Sequence, residues 1–159
     1  MNAAVQIRPM QPDDFAILAG WMVTIPLWQR YHLTSEQAVR QFASAYDKGD
    51  ILLAADRQAN IASGFAWCVP EGAFGRSAYL RLIGVHPDCE GSGIGARLLN
   101  AVEEAASQRH NALFLLVSDF NVDAQRFYQR HGYQQAGAIG DYVVAGITEL
   151  IFWKRLTPP

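Results

Sequence analysis

Apolar residues recur along this chain in two rhythms. Behind Pro12-Asp13-Asp14, residues Phe15, Leu18, Ala19 and Met22 return every third or fourth position, which predicts a helix. Ile25-Pro26 breaks it. Thr34-Ser35-Glu36-Gln37 opens a second helix with an acidic first turn, Ala38, Phe42 and Ala45 on one face, and Gly49-Asp50 at its end. Ile94, Leu98, Leu99, Val102 and Ala106 make a third stripe. Ala124, Phe127, Tyr128 and His131 make a fourth, between a capping Asn121 and a terminating Gly132.

The second rhythm is the short apolar or alternating run. Val5–Arg8, Ile51–Ala55, Ile61–Val69, Ala78–Val85, Ala112–Val117 and Glu149–Lys154 read as strands. Asp56–Asn60 reads as a hairpin turn and Pro70–Ser77 as a connection. Gln135–Gly146 reads as a loop-rich stretch with one short strand. Ala112–Val117 is apolar throughout, as expected of a strand inside a sheet. The order β-α-α-β-β-β-α-β-α-β-β predicts an α+β (mixed α/β) fold: a mixed sheet with helices on both faces. A length of 159 residues predicts one domain over 1–159.

Half of the residues are apolar, enough for a full core, and the formal charge is −2. Only two of the thirteen cationic side chains are lysines, Lys48 and Lys154, and the arginines are scattered. Nucleic-acid binding needs clustered cations, so no nucleic-acid partner is expected. No apolar run approaches a membrane span and the N-terminus has no signal pattern, so no membrane partner is expected either. Cys68 and Cys89 lack metal-ligand or disulfide-framework spacing. They read as reduced thiols of a cytoplasmic protein without a bound metal.

The densest chemical signal is Val85-His86-Pro87-Asp88-Cys89-Glu90-Gly91-Ser92-Gly93-Ile94-Gly95-Ala96-Arg97-Leu98-Leu99. A strand gives way to a glycine-rich loop and then to a helix. A helix start carries N–H groups without intrahelical partners and the positive end of a dipole, which favours a phosphate. A nucleotide P-loop would require Lys and Ser or Thr after Gly95, where Ala96-Arg97 stand. A dinucleotide fingerprint matches in relaxed form as Gly91-x-Gly93-x-x-Ala96, with Asp119 placed for a ribose. Against an NAD(P)-binding oxidoreductase, His86–Glu90 separate strand from glycine, and one helix only follows Val117.

The same block resembles the coenzyme A pyrophosphate loop of the GNAT N-acetyltransferase superfamily. Glu90 stands where that family usually has Arg or Gln. A second block, Asn121-Val122-Asp123-Ala124-Gln125-Arg126-Phe127-Tyr128-Gln129-Arg130-His131-Gly132-Tyr133, is similar to the family's Asn-x-x-Ala…Phe-Tyr…Gly-Phe/Tyr stretch. Ile7-Arg8-Pro9 and Glu149–Leu156 fit as well, so the resemblance spans nearly the whole chain.

The resemblance implies a GNAT-like fold, a mostly antiparallel twisted sheet with a V-shaped splay between the strands ending at Val85 and near Val117. It implies that Ile83, Gly84 and Val85 pair with the pantetheine amides of acetyl-CoA. Gly91, Ser92, Gly93, Ile94, Gly95 and Ala96 are expected to hold the pyrophosphate, and Asn121, Phe127 and Tyr128 to contact the cofactor. Tyr128 is implied as the acid that protonates the leaving thiolate, against a role in core packing. Asn121 reads equally as a helix cap. For the proton acceptor, His86, Asp141, Tyr142 and Glu149 qualify by residue type alone. The expected partner is a primary amine of a small molecule or peptide, attacking the thioester directly in a ternary complex. Trp21, Trp28, Gln29, Arg30 and Tyr31, with Phe74 and Gly137–Gly146, are expected around it. A homodimer is compatible with the resemblance. A coenzyme A-binding module without catalysis is the rival reading, because Glu90 would repel a diphosphate and no base stands out.

Overall fold

A computed structural model describes residues 4–58 and 61–158. The elements are β1 (Gln6–Pro9), α1 (Asp14–Met22), α2 (Pro26–Arg30), α3 (Ser35–Lys48), β2 (Ile51–Gln58), β3 (Ile61–Ala73) and β4 (Ser77–Val85). They continue as α4 (Ile94–Ser107), β5 (Ala112–Ser118), α5 (Val122–Arg130), β6 (Gln134–Gly140) and β7 (Thr148–Arg155). The strands form one seven-stranded sheet in the order β1-β2-β3-β4-β5-β7-β6. Only β4 and β5 run parallel. The mixed, mostly antiparallel sheet expected from the sequence is therefore present.

Four elements depart from expectation. Pro26 does more than end α1: it opens α2 at a first-turn position where a missing N–H costs nothing. β2 runs on to Gln58, through residues expected in a turn, because Arg8 of β1 grips Asp56. Asn60, the last residue of that expected turn, lies outside the described residues. β3 passes through Pro70 as far as Ala73, where an irregularity between Val69 and Ala73 absorbs the proline and Ala73 pairs with Ser77. Phe74, at φ 60°, and Gly75, at φ 63°, make the turn between them. β6 is a full edge strand along β7, not a short one in a loop.

The sheet carries an apolar core on each face. On one, the α4 stripe of Ile94, Leu98, Leu99, Val102 and Ala106 is at most 1% exposed and packs on Leu80, Leu113 and Leu115. Each such side chain contributes roughly 1.5–3 kcal/mol by leaving water. On the other face, α1, α2 and α3 bury Leu18, Met22, Trp28 and Phe42 against Phe65 and Trp67. A capping box between Thr34 and Gln37 starts α3, and Gly49, at φ 76°, ends it.

At the β1 edge the core is locked by charge. Arg8 donates to Asp56 at 2.6 and 3.0 Å and to Asp14 at 2.8 Å through both terminal nitrogens. Asp14 also accepts the Gln11 N–H at 2.7 Å. Both carboxylates are nearly buried, and the guanidinium holds the Asp14 carboxyl below the usual carboxylate range. A depressed carboxyl stabilises the fold above its unfolded pKa of about 3.9 and loses that contribution as pH falls through the folded value. Asp14→Asn is expected to cost roughly 2–4 kcal/mol at neutral pH. Urea titrations of both proteins should show the gap narrowing once the pH drops below about 4.

Candidate active site

The sheet is split at its centre. β4 pairs with β5 only through Ala78, Tyr79 and Leu80, opposite Leu113, Phe114 and Leu115. Beyond Leu80, β4 stays with β3 as far as Val85, and β5 stays with β7 as far as Ser118. The break coincides with a bulge. Trp67 faces Leu82 while Cys68 faces Leu80, so Arg81 is an extra residue in β4. It switches the alternation: Leu80 packs in the α4 core, Leu82 packs against the α1–α3 core, and Ile83 and Val85 return to the α4 side. Ile83, Gly84 and Val85 thus line one arm of a V, with their β5-facing backbone groups unpaired by that strand.

Gly84 is there for a reason the sequence did not show. A Cβ on it would meet Trp28 at 2.5 Å and Phe65 at 2.7 Å. α2 therefore rests its indole directly on the backbone of the β4 arm.

After Val85, the His86 N–H bonds Ser63 C=O at 2.8 Å, and the His86 ring accepts the Asp88 N–H at 3.1 Å. His86 serves the 3-10 turn Pro87–Cys89, not the cleft. Gly91 and Gly93 have φ of 73° and 83°, and a side chain on either would meet nothing within 4 Å. Their glycine requirement is conformational. Gly95, in contrast, faces the Phe127 ring, which a Cβ there would meet at 3.6 Å. Ser92 turns inward: its N–H bonds Cys89 C=O at 3.3 Å and its hydroxyl donates to the same oxygen. The N–H groups of Gly91, Gly93, Ile94, Gly95 and Ala96 have no acceptor among the described residues. They gather at the positive end of the fourteen-residue helix α4. Glu90 and Arg97 are exposed.

α5 approaches from the α4 side. The Asn121 side chain accepts the Ala124 N–H at 3.2 Å, so its oxygen is engaged as a helix cap. Phe127 lies against Gly95, and Tyr128 is buried beside Phe127 and Tyr133, with ring centroids 5.3 and 5.6 Å away. The Tyr128 hydroxyl forms no hydrogen bond among the described residues. Burial pushes its phenol up, so it stays protonated through the neutral range.

The opposite face of the V is reached by α2. The Tyr31 hydroxyl lies 2.5 Å from Ser118 Oγ and donates to Glu149 Oε1. Ser118 and Glu149 are the last pair between β5 and β7, and Glu149 is 4% exposed. Burial, then Glu149, push the Tyr31 phenol up to about 12. Arg30 lies over the Phe120 ring at 3.7 Å. Trp21 belongs to the core, its indole donating to Ala62 C=O at 3.3 Å, and Gln29 caps back to Val23 C=O at 3.2 Å. Phe74 does not join this group: it packs edge-on to Phe114 at the far end of β4. Asp141 is spent on the Gly146 N–H at 2.6 Å, and Tyr142 is exposed in the β6–β7 loop. Ser118 was not singled out by sequence reasoning. Among the candidate bases, Glu149 alone is both buried and at the V; its signal was an acid directly before the apolar run Leu150–Trp153.

An unpaired notch in the sheet therefore lies beside bare amides at a helix mouth. Residues 17–133 match the model of the acetyltransferase (GNAT) family. The chain belongs to this family. It is 34% identical over 103 residues to a 5-NmdU N-acetyltransferase of Pseudomonas phage PaMx11, covering 65% of this chain and 70% of that protein. It is 33% identical over 78 residues to a blasticidin-S acetyltransferase of Streptomyces morookaense, covering 49% of this chain and 57% of that protein. An aminoglycoside 6'-N-acetyltransferase solved with coenzyme A shares the fold, with a TM-score of 0.79 at 15% identity over 97% of this chain and 98% of that one.

Gly84→Ala should cost about 1–3 kcal/mol by overpacking against Trp28 and Phe65. Melting curves with and without acetyl-CoA are expected to show both a lower Tm and a smaller ligand-induced shift. Glu90→Gln should change acetyl-CoA affinity by less than about threefold, because the carboxylate is exposed; calorimetric titration measures it.

Proposed function

We propose that this protein transfers the acetyl group of acetyl-CoA to a primary amine, by direct attack within a ternary complex. The carrying observation is the pairing of two features: the unpaired β4 arm from Ile83 to Val85, and the free amides of Gly91 and Gly93–Ala96 one turn beyond it. The arm offers hydrogen bonds to the pantetheine amides as a missing strand would. The α4 mouth offers donors and dipole to the pyrophosphate. In this reading a β4 N–H in the gap also stabilises the oxyanion of the tetrahedral intermediate.

Tyr128 is the proton donor to the departing sulfur. Burial keeps its hydroxyl protonated, and no internal acceptor among the described residues competes for it. The acceptor enters from the α2 side. A small molecule is the favoured class, because the relatives named above are named for 5-NmdU and blasticidin-S. Holding amine and thioester together supplies much of the acceleration.

Two measurements test this reading. Acetyl-CoA, but not NAD or NADP, should raise the melting temperature, and thiol release in an amine panel should depend on the amine. Tyr128→Phe is expected to lower kcat about 10²-fold with the acetyl-CoA-induced shift unchanged. Unchanged turnover would remove Tyr128 from the chemistry.

A further inference from the structure

Resting on the acetyltransferase reading, we propose that Glu149 receives the ammonium group of the acceptor at the open end of the V and takes its proton, with Tyr31 and Ser118 holding the carboxylate in place. Glu149 sits on β7 beside the last residue of the β5 arm, buried, and no cation pairs with it among the described residues. A buried carboxylate without a cation is costly unless hydrogen-bonded. Its bonding is one-sided. Tyr31 has a single proton and donates it to Oε1, so Ser118 must be the donor to the Tyr31 oxygen. This Ser118-to-Tyr31-to-Glu149 chain fixes the carboxylate's orientation through Oε1. Oε2 has no partner among the described residues and is left for a ligand.

The surroundings define the ligand. On this face α1 and α3 lie over β3 and β2. Over β5 and β7 the row that ends at Ser118 and Glu149 begins with Phe114, Leu116, Ile151 and Trp153, all half-buried. Phe114 and Trp153 stack at 5.8 Å. An apolar floor ending in a buried carboxylate with no ion-pair partner among the described residues fits a primary ammonium carried on a flat or apolar body. The titratable groups facing this corner are Tyr31 from α2, Asp119 after β5, Tyr79 and Arg81 from β4, and Tyr142 from the β6–β7 loop.

The protons balance. The ammonium gives one proton to Glu149, the freed lone pair forms the C–N bond to the thioester carbon, and the C–S bond breaks as the tetrahedral intermediate collapses. The sulfur takes its proton from Tyr128, and the second proton of the acylated nitrogen restores the phenol. Glu149 then releases its proton to solvent, so one proton is produced per turnover.

Glu149→Gln separates this role from structure. It should retain the melting shift with acetyl-CoA. It should lose about 100-fold in kcat/KM with strongly basic alkylamines, but far less with a weakly basic alkoxyamine, which arrives already neutral. Activity within about threefold of wild type on alkylamines, or an equal loss on both acceptor classes, overturns the proposal. If Glu149→Gln fails to fold, Tyr31→Phe is read instead. It is expected to lower kcat/KM about tenfold with alkylamines and far less with the alkoxyamine, because the carboxylate is no longer held in place; an equal loss on both acceptor classes overturns the proposal. Wild-type protein that binds acetyl-CoA yet acetylates no amine overturns the acetyltransferase reading itself, and this proposal with it.

Discussion

The site exists because the ladder between β4 and β5 stops at Leu80. Parallel strands are normally the most deeply enclosed part of a sheet, with every backbone group matched. Here the insertion of Arg81 turns β4 out of register and leaves polar backbone facing a gap. Everything else in the site is arranged around that deficit: the glycine loop at one end, Tyr128 on one face, and Glu149 on the other.

An open V would close or collapse without support, and α2 supplies it. The helix is five residues long, too short to be stable alone. Packing holds it: Trp28 lies on Gly84 of one arm, while Tyr31 reaches Ser118 and Glu149 of the other. The α4 stripe and the α1–α3 core brace the two arms from behind.

Much of this was legible along the chain, and the boundary of legibility is physical. The stripe from Ile94 to Ala106 and the run from Ala112 to Val117 show because helix and strand periods are local. The glycine loop shows because a positive φ at Gly91 and Gly93 limits the residue choice. α2 was missed because five residues contain less than two turns of period. The bulge was invisible because one added residue leaves an apolar run looking apolar. Glu149 could be noted only by type, since the hydroxyl that fixes it is 118 positions away in sequence. Gly84 was expected to pair with pantetheine through its backbone; the reason it lacks a side chain is Trp28, which no local pattern reveals.

The short helix between the arms acts as a strut that sets the gauge of the slot and, through its far end, the shape of the acceptor floor. On the proposed reading, a single helical turn shapes the berths of both substrates. On that reading, drift in this segment alters cofactor fit and acceptor choice together, which ties the evolution of one specificity to that of the other.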